Sequence, residues 1–305
     1  MPRKAEALRA GVIGPRGIGA VHLRELAALG VGALTIAARH PERLDPAALT
    51  DDLHCPVAVV SSVEALAEAS DFVSICSPNA LHLDHARAAL DRDCHVFVEK
   101  PLFWSDALSP DANAAACEDI LEKAEGRLSV NYPTACFAVP FIAARGRAER
   151  PRDFLFRYQT RGAYRGNAIA VDLLPHAFSL LLEFVPASTL AVILRESSDT
   201  TWRAEIDVGG TRCRFEFLQD MAATESDLSF AVDGQTARRV QVPERGGFAV
   251  ALDLSDVEGS PIKMENPMRT TIARALAACL SETAAKGEPE RSARIMRLIA
   301  SCLVE

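Results

Sequence analysis

Ala10-Gly11-Val12-Ile13-Gly14-Pro15-Arg16-Gly17-Ile18-Gly19 is the stretch that decides the fold. A short apolar strand, Ala10 to Ile13, runs into a glycine-rich turn. Ile18, Val21, Leu26 and Leu29 then recur at roughly helical spacing until Gly30 stops the helix. Strand, glycine turn and helix in that order let backbone amides approach a pyrophosphate at a helix N-terminus. The usual spacing is G-x-G-x-x-G. Here Gly14 and Gly19 hold the first and third places, Arg16 takes the second and Gly17 follows it. A side chain in the second place crowds the phosphate, so Arg16 must either swing outward or contribute a guanidinium contact.

Outward from this turn, strand and helix alternate. Ala33–Ala37, Val57–Val60, Phe72–Cys76, Val96–Val98 and Leu128–Val130 read as further strands. Helices fall between them: one capped by Ser61 with Glu64, one over Ala80–Leu90, and one opened by Ser109 as N-cap and Pro110 as its first residue. Apolar strands separated by helices predict a doubly wound parallel sheet, a Rossmann domain over residues 1–130. From 131 to 305 the pattern predicts an α+β domain with an open, mainly antiparallel sheet. Its clearest element is a hairpin on a Gly209-Gly210 turn, which sets Asp207 opposite Arg212, Glu205 opposite Arg214 and Arg203 opposite Glu216. The alternate face pairs Ile206 with Cys213, Ala204 with Phe215 and Trp202 with Phe217, so one face is core and the other polar. Two helical stripes, Met268 to Leu280 and Ile295 to Leu303, are expected to cover the apolar face of this second sheet.

Composition narrows the function classes. The chain has 305 residues, 49% hydrophobic and 24% charged, which is ordinary for a soluble protein of two domains. A net charge of -8 argues against nucleic acid, whose phosphates need clustered Lys and Arg. No apolar run reaches the ~20 residues of a membrane span, and the opening residues carry no signal-type segment. The eight cysteines are scattered, several in apolar runs, and are read as reduced thiols of a cytoplasmic protein. His82, Asp84 and His85 lack an identifiable third ligand, so no metal is expected. Self-association as a homo-oligomer is left open.

After the second strand the chain reads Ala37-Ala38-Arg39-His40. An NAD-preferring fold places an acid near Ala38 to accept the ribose 2′-hydroxyl. A small residue beside Arg39 suits a 2′-phosphate instead, so NADP(H) is preferred, with NAD(H) still admissible.

Two further motifs carry the chemistry. Glu99-Lys100-Pro101 ends the fifth strand, and Asp172-x-x-x-His176 stands at the expected start of a helix, because Pro175 is tolerated only in a first turn. With the glycine turn, these segments resemble the glucose-fructose oxidoreductase/inositol dehydrogenase/rhizopine catabolism family of nicotinamide enzymes. The resemblance covers most of residues 10–183, with Asp71–Leu102 the best-fitting part, although Asp93 replaces a frequent glycine. Beyond residue 183 it is only topological.

It implies an NADP(H)-preferring dehydrogenase or reductase acting on a small polar molecule of sugar or cyclitol type. Cofactor contacts would come from Gly14, Arg16, Gly17, Ile18, Gly19, Ala38, Arg39, His40, Ser77, Pro78, Asn79, His82, Glu99, Lys100 and Asn131. His176 would be the main proton donor or acceptor, Asp172 its orienter and Lys100 the second proton group. A lysine beside a cationic oxidised nicotinamide holds its proton less tightly, which suits exchange with an alcohol. The segment Asn131-Tyr132-Pro133 lacks the arginine many members carry, which puts a typical sugar-binding mode in doubt; Tyr158, Arg161 and Tyr164 are the compensating substrate candidates. That segment also resembles thiazolinyl imine reductases, so an imine reductase is one alternative and a non-catalytic cofactor-binding homologue another.

Overall fold

The structure, a computed structural model, describes residues 5–38, 40, 42, 53–186, 189–244, 247–254, 260–281 and 287–304. It divides into two compact units, Met1–Asn131 with Met268–Ala293, and Tyr132–Pro267 with Arg294–Glu305. Among the described residues no helix is long and apolar enough to cross a membrane.

In the first unit six strands, β1 (Arg9–Ile13), β2 (Ala33–Ala37), β3 (Val57–Val60), β4 (Phe72–Ile75), β5 (His95–Val98) and β6 (Leu128–Val130), form one sheet in the order β3-β2-β1-β4-β5-β6. Every pairing is parallel. The strand order reverses at β1, between β2 and β4, and the crevice outside their carboxyl ends is where such sheets bind ligands. Among the described residues four helices lie between the strands: α1 (Ile18–Ala28), α2 (Val63–Glu68), α3 (His82–Leu90) and α4 (Pro110–Lys123). Ser109 caps α4 through Ala112, as its sequence predicts. The cap of α2 falls one residue later than expected: Ser62, not Ser61, accepts from the Ala65 amide.

The buried face of α1 also differs from the expected stripe. Gly19, His22, Leu23, Glu25 and Leu26 face inward, while Ile18 is exposed. Close packing of Gly19 on the turn sets this rotation: a Cβ there would collide with the Gly14 carbonyl oxygen.

In the second unit eight strands, among them β11 (Asp227–Val232), β12 (Gln235–Glu244), β13 (Gly247–Asp253) and β14 (Ile262–Lys263), run β14-β13-β12-β11-β7-β10-β9-β8. β7 (Asp153–Thr160) and β10 (Thr211–Gln219) pair in parallel; the other pairings, including β8 (Leu190–Ser197) with β9 (Thr201–Val208), are antiparallel. The β9–β10 hairpin has the expected register, Asp207 opposite Arg212 through Trp202 opposite Phe217. Its ion pairs are diagonal or cross to the next strand: Arg212 meets Glu205 at 2.8 Å, and Glu216 meets Arg157 of β7 at 2.7 Å. Behind the inward face, α5 (Ala138–Arg145) and α6 (Asn167–Leu181) bury aromatic rings, with Phe178 edge-on to Phe215 at 5.3 Å.

Two expectations give way here. The helix α7 (Pro267–Ser281) packs on the first unit, not on the second sheet. Ile272, Ala275, Leu276 and Cys279 share a core with Leu8, Leu23, Leu26, Leu34 and Phe72, and Arg269 pairs with Glu25 at 2.6 Å. Burying Ile272 and Leu276 is worth about 1.5–3 kcal/mol each, and an amphipathic stripe specifies that a face is buried but not which sheet covers it. Secondly, α6 begins at Asn167, so Asp172 lies in its second turn, His176 in its third and Pro175 inside. An interior proline costs about 3 kcal/mol. Eleven buried residues, from Ile169 to Leu181, offset that cost.

Candidate active site

The glycine turn builds one wall of a cavity of about 580 Å³ at the carboxyl ends of β1, β2 and β4. Gly14 (φ 79°) and Gly17 (φ 55°) take backbone conformations that L side chains rarely adopt, and Gly17 caps α1 without a side-chain bond. A Cβ on Gly14 would meet the Cys76 carbonyl at 2.7 Å. The turn therefore stays close against β4, with the positive end of α1 beside the opening. Arg16 is exposed and lines the cavity, so it leaves the crowded interior and can offer its guanidinium to phosphate. A groove of this size, with a glycine-rich turn and a helix N-terminus, fits a dinucleotide.

Of the residues expected at a cofactor, Gly14, Arg16, Ala38, His40, Ser77 and Pro78 line this cavity. Gly17, Ile18 and Gly19 belong to the same turn, and Asn79 starts the short helical turn after Pro78. Arg39 lies outside the described residues; its neighbour His40 is exposed and paired with Glu42 at 3.2 Å. Ser61, Ser62 and His85, which the sequence did not single out as cofactor contacts, also line the cavity. Ser77 joins His85 at 2.9 Å, and burial pulls the His85 imidazole below its ordinary range.

His82, Glu99 and Asn131 stand behind this wall. The His82 ring is fully buried, with Nε2 2.7 Å from the Ser77 carbonyl and Nδ1 3.0 Å from that of Pro101. It thus ties the cavity segment to the turn after Lys100. Burial lowers its proton affinity, which the carbonyl contacts partly restore. Glu99 ends β5, with Oε1 2.8 Å from His22 Nε2 and 2.6 Å from Asn131 Nδ2. Burial raises the Glu99 carboxyl, but hydrogen bonds from His22 and Asn131 and the charge of Lys100 carry it below the usual range, so it is an anion. Lys100, half-buried, follows at the carboxyl edge, one strand beyond the cavity's β4 side.

In the second unit Asp172 and His176 share one face of α6, both half-buried. Thr134 Oγ1 lies 3.5 Å from His176 Nδ1, and the Tyr158 ring stands edge-on at 5.4 Å. Tyr158 is therefore beside His176, whereas Arg161 and the 47%-exposed Tyr164 sit on the loop before α6. Gln219, fully buried, donates from Nε2 to Asp172 Oδ2 at 3.0 Å and accepts from the Tyr164 amide at 2.6 Å. It orients the acid and pins that loop. The signal was present: Gln219 is a polar residue at the next inward position after Cys213, Phe215 and Phe217.

Gln219→Leu keeps the bulk but strands the Tyr164 amide and releases Asp172. It is expected to cost about 1–3 kcal/mol, read as a lower melting temperature. An unchanged melting temperature would remove Gln219 from this role.

Doubly wound sheet, glycine turn and open mixed sheet define a dinucleotide-binding architecture with a second, open-sheet unit. Residues 8–132 match the model of the GFO_IDH_MocA family, described as an oxidoreductase family with an NAD-binding Rossmann fold. It is 40% identical over 114 residues to D-xylose 1-dehydrogenase (NADP(+)) 2 of Haloferax volcanii, 36% of this chain and 33% of that one. D-glucoside 3-dehydrogenase of Escherichia coli is 35% identical over 94 residues, 31% of this chain and 23% of that one. The chain thus matches about a third or less of the length of these curated relatives. Its fold is that of KijD10, a 3-ketoreductase from Actinomadura kijaniata solved with TDP-benzene and NADP. The TM-score is 0.72 at 20% identity, covering 96% of each chain.

Proposed function

We propose that the protein is an NADP(H)-preferring oxidoreductase that interconverts a ketone and an alcohol on a small polar molecule of sugar or cyclitol type. The observation that carries this reading is Lys100, set by a buried anionic Glu99 at the carboxyl edge of the sheet that opens into the cavity. The family, and the ketoreductase and sugar dehydrogenases the chain is similar to, support the reaction class. The half-buried Ala38 in the cavity wall, with no acid at its position, supports the cofactor preference.

A reduced nicotinamide, when bound, would supply the hydride for the carbonyl carbon. His176 delivers a proton to the carbonyl oxygen; with Nδ1 toward Thr134, Nε2 is the donating atom. Asp172, one turn before it on the same face, is its orienter. Lys100 is the second proton group and the substrate anchor, and both groups act in reverse for alcohol oxidation. Cytoplasmic location belongs to this reading as an expectation, and self-association stays open.

The test is a titration with NADPH and NADH, followed by quenching of reduced-nicotinamide fluorescence, and then turnover of ketones against cyclic imines. NADPH binding with ketone turnover is the expected result; turnover of imines alone would make the protein an imine reductase, and binding of neither cofactor would sink the proposal. Arg39→Ala is expected to weaken NADPH by roughly ten- to a hundred-fold, the worth of a charged hydrogen bond, while sparing NADH. Equal losses would refute the 2′-phosphate assignment.

A further inference from the structure

A chain of buried polar groups crosses the first unit beneath the cavity wall. His22 is fully buried on α1, just beyond the first turn after the Gly17 cap. Its Nδ1 lies 2.6 Å from Ser74 Oγ on β4 and its Nε2 2.8 Å from Glu99 Oε1. Asn131 donates to the same Glu99 oxygen, and Thr271 of α7 donates to Asn131 Oδ1 at 2.7 Å. The other Glu99 oxygen, Oε2, accepts the backbone amide of Lys100 at 3.3 Å. One carboxylate thus has one oxygen clamped by a helix and a neighbouring strand end, and the other on the peptide that carries the lysine.

An apolar core would fold without this chain. His22 packs against Phe97, with ring centroids 5.7 Å apart, and leucines flank it on α1. Replacing buried ionic groups by well-packed apolar ones is often neutral or stabilising, so stability alone is a weak reason for the arrangement. Its placement offers a better one. α1 begins at the glycine turn, and β5 ends at Lys100. The His22–Glu99 bond joins the two and sets the distance between the element that receives pyrophosphate and the residue that acts on substrate.

We propose that His22 is a positioning residue for hydride transfer: a strut from the cofactor helix to the Glu99 carboxylate that fixes the backbone and orientation of Lys100. This rests on the catalytic reading of Lys100. Catalysis is sensitive to misplacements of about 1 Å, so loss of the strut should appear in kcat rather than in cofactor affinity.

Two substitutions separate the ends of the ring. Gln places an amide near the Nε2 position and retains the donor to Glu99; Asn places one near Nδ1 and retains only Ser74. His22→Asn is expected to lower kcat roughly ten- to fifty-fold with KM for the ketone and NADPH affinity within about three-fold, whereas His22→Gln recovers most of that loss. Wild-type kcat in a folded His22→Asn protein, or equal losses in both variants, would overturn the strut. Should His22→Asn not fold, long-range proton–nitrogen spectra of the unsubstituted protein decide the matter. They must show an exchange-protected proton on His22 Nε2, and a bare Nε2 would overturn the proposal. Lys100→Ala, measured alongside, separates the two readings. If it retains turnover, the catalytic assignment falls; if it is inactive while His22→Asn is not, only the strut falls.

Discussion

Lys100→Ala is expected to lower kcat by roughly 10²–10⁴-fold, the usual contribution of a positioned proton-transfer group, while leaving NADPH affinity within about three-fold. The split follows from where the residue stands. The cavity is lined by the glycine turn, the β2 and β3 ends and the segment after β4, and Lys100 lies one strand further along the edge. Steady-state turnover of a ketone with NADPH, together with a fluorescence titration, measures both halves. Lys100→Arg should not restore activity, because a guanidinium keeps the charge but does not release its proton in this pH range. Full turnover in the alanine variant would end the assignment; a parallel collapse of NADPH binding would reassign Lys100 to holding the cofactor.

The second large effect concerns the turn. Gly19→Ala would drive a methyl group into the Gly14 carbonyl oxygen, in a turn that packs closely enough on the segment after β4 that a Cβ on Gly14 would meet the Cys76 carbonyl. The atom struck is backbone and a Cβ has no rotamer, so no side-chain rotation relieves the collision. We expect at least a hundred-fold loss of NADPH affinity as α1 is displaced from the turn, with about 1–3 kcal/mol of destabilisation from overpacking. Calorimetric melting and the same titration check the two effects. Wild-type affinity in a stably folded variant would mean that the cofactor does not use the N-terminus of α1.

These predictions draw on features that were unequally legible in the sequence. The alternation of strands and helices up to Val130 was plain, since each strand is an apolar run bounded by turn residues, and Ser109 with Pro110 marks the start of α4. The Gly209-Gly210 turn set the hairpin register because a one-residue slip would turn Trp202, Phe215 and Phe217 to the solvent face. Local signals misled where tertiary burial outweighed them. Pro175 argued for a helix starting near Asp172, but the buried run through Ile169, Ala170 and Val171 carries α6 back to Asn167. The stripe of α7 was readable and its partner was not, because strand order decides which sheet face is left open.

Polar residues at core positions were the signals passed over. His22 falls on the buried face of α1 between Gly19 and Leu26, and Ser74 interrupts β4. Each gains meaning only when the sheet brings Glu99 and Asn131 beside them. Gln219 is similar, a lone amide at the end of an apolar register whose partners Asp172 and Tyr164 lie far along the chain. The motif residues Lys100, Asp172 and His176 were legible as a resemblance, but their supporting hydrogen bonds were not.

The most direct trial of the catalytic assignment is a crystal structure of the protein with NADPH bound. The account predicts that the Lys100 ammonium and the His176 imidazole both face the C4 side of the dihydropyridine ring, close enough that one carbonyl oxygen lies about 3 Å from each. A nicotinamide ring bound with either group turned to bulk solvent, or with the two on opposite faces of the ring, would contradict it.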